Sequence, residues 1–172
     1  MAKAKTKTKT KRRAASSIPT PTPVPMVAGY RPPGTKQKFL AWSFAEQRLR
    51  RAHNYWVCTT RPDGRPHAAP VWGLWLDGAF LFSTEPSSRK ARNLDANPNI
   101  VVHVESGDEV VMLEGRVETT ELTPAIDATY FRKYEIHLNG FPAPMVLYRI
   151  VPKTISAWRE KAFSASTTQW RF

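Results

Sequence analysis

The sequence has no apolar run of about 18 residues, the length that a helix needs to cross a membrane, and it contains one cysteine among 172 residues. Without a second cysteine, Cys58 cannot form an intramolecular disulfide, and a zinc site built on several cysteines is excluded. These absences predict a protein that crosses no membrane and works in a reducing compartment, which we expect to be the cytoplasm.

The chain also lacks the common short motifs of nucleotide and metal binding. It contains no GxGxxG or GxxxxGK motif, and its four histidines are scattered without metal-ligand spacing. We therefore predict no metal site. The sequence offers no pair of a nucleophile and a neighbouring base, so it indicates no catalytic residue.

Large apolar side chains are nearly absent from the first 25 residues, which carry seven of the 26 basic residues and no acidic one. Such a segment cannot bury enough apolar surface to offset the entropy that ordering would remove. We predict a disordered, basic and proline-rich tail over residues 1–35 and one folded domain over residues 36–172. The tail is expected to contact polyanions such as nucleic acid weakly and without sequence preference.

The remainder of the chain is rich in short β-forming segments. The predicted strands cover residues 55–60, 67–76, 79–84, 100–105, 109–118, 145–151 and 154–163. The predicted helices cover residues 36–52, 88–96 and 123–138. Asp63-Gly64 and Asp77-Gly78 link the first three strands, and Asp-Gly is typical of hairpin turns in which both central residues have positive φ. This order predicts a mainly β fold with flanking helices, arranged as an antiparallel Greek-key barrel.

The segment Ser87-Ser88-Arg89-Lys90-Ala91-Arg92 places three cations and no acid at a predicted helix start. A helix N-terminus is partially positive, so each cation there costs on the order of 0.3–1 kcal/mol. A bound phosphate would remove this conflict, because it accepts hydrogen bonds from free amides, hydroxyls, guanidinium and ammonium groups. The alternative is a solvated basic face. The segment directly follows Phe82-Ser83-Thr84, whose hydroxyls end a strand, and this position favours the phosphate site.

A series of motifs supports the same interpretation. In chain order they are Gly64-Arg65-Pro66-His67, Pro70-Val71-Trp72, Phe82-Ser83-Thr84, Ser88-Arg89-Lys90-Ala91-Arg92-Asn93-Leu94, Asn97-Pro98, Ile150-Val151-Pro152, Ala157-Trp158 and Thr168-Gln169-Trp170-Arg171-Phe172. Together they resemble the pyridoxamine 5′-phosphate oxidase-like superfamily. The resemblance implies a six-stranded antiparallel Greek-key split barrel that forms a homodimer and holds FMN or the deazaflavin coenzyme F-420 between its subunits. It also implies an oxidoreductase that transfers a hydride to a small unsaturated substrate.

The resemblance further implies which residues touch the cofactor. Ser88, Arg89 and Lys90 are expected to contact its phosphate, and Ser83 and Thr84 are expected to flank the ribityl chain. The residues expected beside the ring are Pro70, Val71 and Trp72, with Trp170 approaching the site of the partner subunit.

Two departures separate the chain from the true oxidases. Those enzymes have an additional arginine and lysine on the second strand, where Ala69 and Leu74 stand here. Their long C-terminal motif for the substrate phosphate is also missing. The chain is therefore expected to be a short member of the superfamily that uses FMN or the deazaflavin coenzyme as a reductase. The alternative is a non-enzymatic protein that binds FMN or haem and whose basic tail contacts polyanions.

Overall fold

The computed structural model describes residues 17–27 and 29–172. In chain order the elements are α1 (Trp42–Arg51), β1 (Tyr55–Thr60), β2 (Pro66–Val71), β3 (Leu74–Leu76), β4 (Ala79–Thr84), α2 (Arg89–Ala96), β5 (Asn99–Val104), β6 (Glu109–Thr119), α3 (Pro124–Tyr134), a 3-10 turn (Leu138–Gly140), β7 (Val146–Arg159), a second 3-10 turn (Glu160–Ala162), α4 (Phe163–Ser166) and β8 (Thr168–Arg171). Strands dominate, which confirms the predicted mainly β class. None of the helices in these two ranges is long and apolar enough to span a membrane.

The strands form one antiparallel sheet that curls into a half-barrel. Its order is β2-β1-β5-β6-β7-β4-β3, and β8 pairs with the second half of β7. The strands at the two ends of this path, β2 and β3, follow each other in sequence and are joined by Trp72 and Gly73 alone. The three Cα-to-Cα steps from Val71 to Leu74 span at most about 11 Å. The two ends of the path must therefore approach each other, and only a curled sheet allows this.

The expectation of six strands is corrected by the structure, which has eight strands among its described residues. One difference arises because the strand predicted over residues 67–76 breaks at Trp72-Gly73, where the chain passes from one edge of the sheet to the other. Another is β8, which was not predicted and which pairs with β7.

The two strands predicted at residues 145–151 and 154–163 are one strand, β7. Glu114 pairs with Thr154 and Gly115 pairs with Pro152, so Lys153 is an extra residue at a shift in register. Such a bulge accommodates Pro152, which has no N–H to donate to the ladder. Pro152, which lies between the two predicted strands, therefore sits at a bulge within one strand.

The core lies on the concave side of the sheet. Paired residues from five neighbouring strands form one row across it, and each is 0% or 1% exposed: Val57, Val102, Leu113, Ile155 and Trp170. Helix α1 adds buried side chains to this core, and a second, smaller cluster lies between α3 and the strands β3 and β4. Burial of each large apolar side chain contributes about 1.5–3 kcal/mol to the free energy of unfolding, so this row stabilises the curled sheet.

The two Asp-Gly turns differ in conformation. Asp77 and Gly78 both have positive φ, at 49° and 71°, as predicted for a two-residue hairpin turn. At the first turn only Gly64 has positive φ, at 83°, and the prediction for Asp63 is wrong. The backbone N–H of Gly64 donates to the carbonyl of Arg61, so Pro62 and Asp63 form the centre of a wider turn that ends at Gly64.

The described part of the N-terminal segment lies against the C-terminal strand. Thr22 exchanges two backbone hydrogen bonds with Gln169, at 2.9 and 2.7 Å, and Nε of Arg31 donates to the carbonyl of Ser164 at 3.2 Å. This pairing covers part of the free edge of β8. Residues 1–16 and 28, which belong to the predicted tail, lie outside the described residues.

Replacing Gly73 by alanine tests the closure of the half-barrel. A Cβ atom there would lie 2.4 Å from Cζ of Phe80, a fully buried ring, and 2.7 Å from the carbonyl oxygen of Leu81. Because neither neighbour can move aside freely, we expect Gly73→Ala to lower the free energy of unfolding by about 2–3 kcal/mol. Urea unfolding followed by tryptophan fluorescence measures this change.

Gly107→Ala is the matched control, because a Cβ at Gly107 meets nothing within 4 Å. It should change the free energy of unfolding by less than about 0.5 kcal/mol. Equal stability of the two variants would contradict the tight passage between the sheet edges.

Candidate functional site

Helix α2 begins directly after β4 at a serine cap. Oγ of Ser88 accepts one hydrogen bond from the backbone N–H of Ala91, at 3.2 Å, and another from the hydroxyl of Thr84, at 3.1 Å. Both interactions use the Ser88 oxygen as acceptor, so its own hydroxyl hydrogen remains free to donate. The side chain of Thr84, 5% exposed, thereby orients the Ser88 hydroxyl at the helix start.

The first turn of α2 contains unpaired donors and no acid. The backbone N–H groups of Arg89 and Lys90 meet no acceptor in the part of the chain that the structure describes. No acidic side chain occupies this turn either. Free amides and the aligned peptide dipoles make this end of the helix partially positive.

Two side chains add full charges to this helix start. Arg89 is exposed and Lys90 is partly buried, and neither forms a salt bridge within residues 17–27 and 29–172. Burial lowers the pKa of the Lys90 ammonium, and the carboxylate of Glu85 opposes this shift. Arg92 turns back to the carbonyl of Ser87 instead. Two of the three predicted cations are therefore available to a ligand.

The β1–β2 hairpin brings further positive groups to the same place. Asn93 of α2 donates to Thr59, which is paired with His67, so the hairpin lies against the helix. Burial lowers the pKa of His67, and the positive charges of Arg61, Lys90 and Arg89 lower it further. Nε of Arg61 is buried and has no acceptor among the described residues. Sequence reasoning did not nominate Arg61. Its position beside the same hairpin turn as His67 is the signal that could have found it.

Arg65, in the same turn, does not contribute a free charge. Its guanidinium contacts the carboxylate of Asp63 at 2.6 Å, and this hydrogen bond lowers the pKa of Asp63. The cationic cluster is therefore Arg61, His67, Ser88, Arg89 and Lys90.

The cationic cluster offers donors and positive charge without a matching acceptor. It combines a free serine hydroxyl, two free amides, a buried guanidinium N–H and two unpaired cations. A phosphoryl group has only acceptor oxygens and carries negative charge, so it complements this set. The phosphate of FMN or of the deazaflavin coenzyme fits the residues present.

Ser83 faces away from the cationic cluster. Side chains alternate along β4, so Thr84 reaches Ser88 while Ser83 lines a cavity of about 240 Å³ on the other side of the strand. Leu138, Asn139 and Phe141 also line this cavity. The structure therefore brings Thr84, and not Ser83, to the predicted phosphate site.

The segment Pro70-Val71-Trp72 alternates in the same way. Pro70 is exposed, Val71 is buried in the core at 8% exposure, and Trp72 is 36% exposed. The Trp72 ring stacks on the ring of Tyr134, with centroids 4.9 Å apart and an angle of 9° between the planes. Only Pro70 and Trp72 of this segment present surface to a ligand.

Trp170 lies apart from the other predicted site residues. It is 1% exposed, and its ring packs edge-on against Trp42 with centroids 5.3 Å apart. In this chain Trp170 presents no surface to a ligand and contributes to the core.

A family model described as pyridoxamine 5′-phosphate oxidase matches residues 43–159, well over half of the chain. The chain belongs to this family. The matched region contains the whole cationic cluster and both edges of the half-barrel, so the resemblance seen in the sequence motifs is confirmed.

Solved structures of similar fold include proteins of different kinds. An F420 reductase is 25% identical, with a TM-score of 0.53, and the match covers 64% of this chain and 94% of that one. A conserved hypothetical protein from Mycobacterium tuberculosis is 24% identical, with a TM-score of 0.62 and coverage of 74% and 92%. A heme binding protein from Mycobacterium smegmatis is 16% identical, with a TM-score of 0.57 and coverage of 74% and 62%. A search of curated proteins finds no match.

In this member of the pyridoxamine 5′-phosphate oxidase family, two residues of α3 bind the backbone at Gly73, in the Trp72-Gly73 link between β2 and β3, which we call the corner. The hydroxyl of Tyr134 accepts the N–H of Gly73 at 2.9 Å and lies 2.8 Å from the carbonyl of His53. Nζ of Lys133 donates to the carbonyl of Gly73 at 2.9 Å and to the hydroxyl of Tyr55 at 2.7 Å. Sequence reasoning missed Lys133, because its partners come from distant segments.

The Lys133 ammonium has no carboxylate partner within the described ranges. Its Nζ lies 4.7 Å from the ring centre of Tyr55 and 5.1 Å from that of Tyr134, so the rings supply part of its stabilisation. Burial lowers the pKa of Lys133 to about 8. The corner is therefore held by a lysine whose charge the fold disfavours.

Lys133 makes the stability of the protein depend on pH. The folded protein loses this proton near pH 8, whereas a lysine in the unfolded chain keeps it up to about pH 10.4. The unfolded state binds more protons between these values, so the free energy of unfolding should rise with pH. Between about pH 7.5 and about pH 9.5, the wild type should gain stability relative to Lys133→Met by at most about 1.4 kcal/mol per pH unit.

Urea unfolding at several pH values measures this difference. Lys153→Met removes an exposed lysine of β7 and is the control, and its stability should follow that of the wild type. Parallel pH profiles for the wild type and Lys133→Met would contradict the charge assigned to the corner.

Proposed function

We propose that this protein is an oxidoreductase that uses FMN or the deazaflavin coenzyme F-420 to reduce a small unsaturated substrate. The observation that carries the proposal is the cationic cluster, in which unpaired donors and cations surround the start of α2. Membership of the pyridoxamine 5′-phosphate oxidase family supports this class of cofactor. The likeness to a protein named F420 reductase, at 25% identity, supports it as well.

In this proposal each residue of the cluster has a distinct part in holding the phosphate. Ser88 donates its hydroxyl, which Thr84 orients, and the adjacent backbone amides donate along the helix axis. The planar guanidinium of Arg89 suits two phosphate oxygens at once, whereas Lys90 supplies a point charge. Arg61 gains an acceptor for its buried Nε.

Trp72 is the proposed neighbour of the ring system. Tyr134 stacks on one face of the indole and holds its orientation, while the residue remains 36% exposed. Val71 contributes indirectly, because its burial in the core anchors the strand end from which Trp72 projects. The reduced form of a flavin or deazaflavin held in this way would supply a hydride, two electrons with one proton, to the unsaturated bond; the cofactor would be left oxidised, and solvent would supply the second proton.

Removal of the two free cations tests the phosphate site. We expect Arg89→Ala combined with Lys90→Ala to weaken binding of FMN and of coenzyme F-420 by about 100-fold or more, because two charge-assisted contacts of about 1.5–3 kcal/mol each are lost. Quenching of tryptophan fluorescence during titration with each cofactor measures the dissociation constant.

A matched control removes two arginines elsewhere. Arg50→Ala combined with Arg51→Ala deletes the same charge from exposed positions of α1 and should leave cofactor affinity within about twofold at physiological salt, because exposed charges outside the cluster are screened. Equal affinity of the wild type and the Arg89–Lys90 double variant would remove the phosphate site. Haem as the cofactor would instead give the purified protein a Soret band, and that result would contradict the proposal.

We also propose that the protein is a homodimer that uses the convex face of the sheet. Paired residues on this face form a mostly apolar row that spans four strands: Pro70, Trp56, His103 and Met112. Trp56, His103 and Met112 are half-buried in the single chain, and Pro70 is exposed. A second copy of this face would bury the row and would bring two cofactor sites into one symmetric assembly.

A charge placed in the row tests this interface. Met112→Glu should convert the protein from twice the chain mass of 19.5 kDa to a monomer, because dimerisation would then remove a carboxylate from water on each copy of this row. Light scattering coupled to size-exclusion chromatography gives the mass. Lys153→Glu, at an exposed site of β7, is the control and should remain dimeric. A dimeric Met112→Glu variant would exclude this face.

A further inference from the structure

Two buried polar side chains connect His67 to helix α2. Nδ1 of His67 lies 3.4 Å from Oγ1 of Thr59, its paired residue on β1. Oγ1 of Thr59 in turn accepts a hydrogen bond from Nδ2 of Asn93, at 2.9 Å. Thr59 is 4% exposed and Asn93 is fully buried. The chain of contacts therefore links the imidazole on β2 to the helix that carries Arg89 and Lys90.

The hydroxyl of Thr59 can serve either protonation state of the imidazole. Its hydrogen can point to Nδ1 of His67, at 3.4 Å, or to the carbonyl oxygen of His67, at 3.5 Å. In the first case Nδ1 accepts and the neutral ring carries its proton on Nε2; in the second case Nδ1 can itself donate. With Nδ1 as acceptor, or with both ring nitrogens protonated, Nε2 carries a proton, and this N–H has no partner among the described residues.

The charged groups that lower the pKa of His67 are all cations: Arg61 on the hairpin, and Arg89 and Lys90 on α2. The nearby carboxylates of Asp63 and Glu85 act on these cations instead. No carboxylate contributes to the shift of this group, and burial together with the three cations lowers the pKa of His67. A phosphoryl group in the cationic cluster would reverse the sign of the neighbouring charge and favour the imidazolium.

Resting on the function proposed above, we propose that His67 is a further ligand of the bound phosphoryl group and takes up a proton when that group binds. Nε2–H donates to a phosphoryl oxygen, and the proton gained at Nδ1 is held by Oγ1 of Thr59. This assigns to His67 a binding role that is coupled to pH.

Proton uptake fixes the direction of the pH dependence. Affinity should be highest below the pKa of His67 in the free protein, fall as pH rises above that value, and level off above the pKa of His67 in the complex. Below about pH 6 the phosphate itself gains a proton, so the informative range lies above that value. From about pH 6.5 to about pH 8.5 we expect the affinity for FMN to fall by about 3- to 10-fold, since one linked proton changes affinity by at most tenfold per pH unit.

Calorimetric titration of the full chain with FMN, and separately with inorganic phosphate, tests the proposal. Titrations in buffers of different ionisation enthalpy give the number of protons taken up, which should lie between zero and one near pH 7 for the wild type. His67→Gln keeps an N–H donor but cannot titrate, so it should show no His67-linked uptake and a flat affinity profile. His137→Gln removes a histidine that pairs with Asp127 away from the cluster, and it should behave as the wild type.

The outcomes separate this inference from the proposed function. FMN binding that depends on Arg89 and Lys90 but takes up the same protons in His67→Gln would overturn the role of His67 alone. Failure of both FMN and inorganic phosphate to bind the wild type would overturn the phosphate site and the role of His67 together.

Discussion

The two-residue passage from Val71 to Leu74 is the constraint on which the rest of the structure depends. It joins the two end strands of a seven-strand path, so the sheet must curl. Gly73 passes against Phe80 where no side chain fits, and α3 fastens the same point through Lys133 and Tyr134. Because the sheet curls, α2 follows β4 in the chain but packs on β1, although β1 and β4 are not adjacent strands in the sheet.

The packing of α2 on β1 creates the candidate site. The start of α2, which follows the end of β4, meets the β1–β2 hairpin, and together they bring Arg61, Arg89 and Lys90, none of which forms a salt bridge among the described residues. A chain selected for stability alone would place acidic residues in the first turn of α2. This departure from the stabilising pattern is the basis of the phosphate site proposed above. Proteins of this fold include a reductase and a heme binding protein, so function follows from these residues and not from the fold.

Local sequence features predicted much of the fold and part of the site. Strands β1, β4, β5 and β6 and helix α2 lie within one or two residues of their predicted bounds, because alternation and turn residues act over a few positions. The serine cap followed by Arg89 and Lys90 was visible for the same reason. The break at Trp72-Gly73 and the strand β8 were not predicted, since each depends on a partner strand distant in the chain.

The sequence by itself determined the hairpins, the cationic helix start and the family to which the chain belongs. Only the tertiary structure decided which side chains share one space. It joined Arg61 and His67 to the helix start, turned Ser83 to the opposite side of β4 and buried Trp170 in the core. The physical reason is that the residue type alone fixes the charge and shape of a side chain. Which other side chains it contacts depends on how the sheet curls.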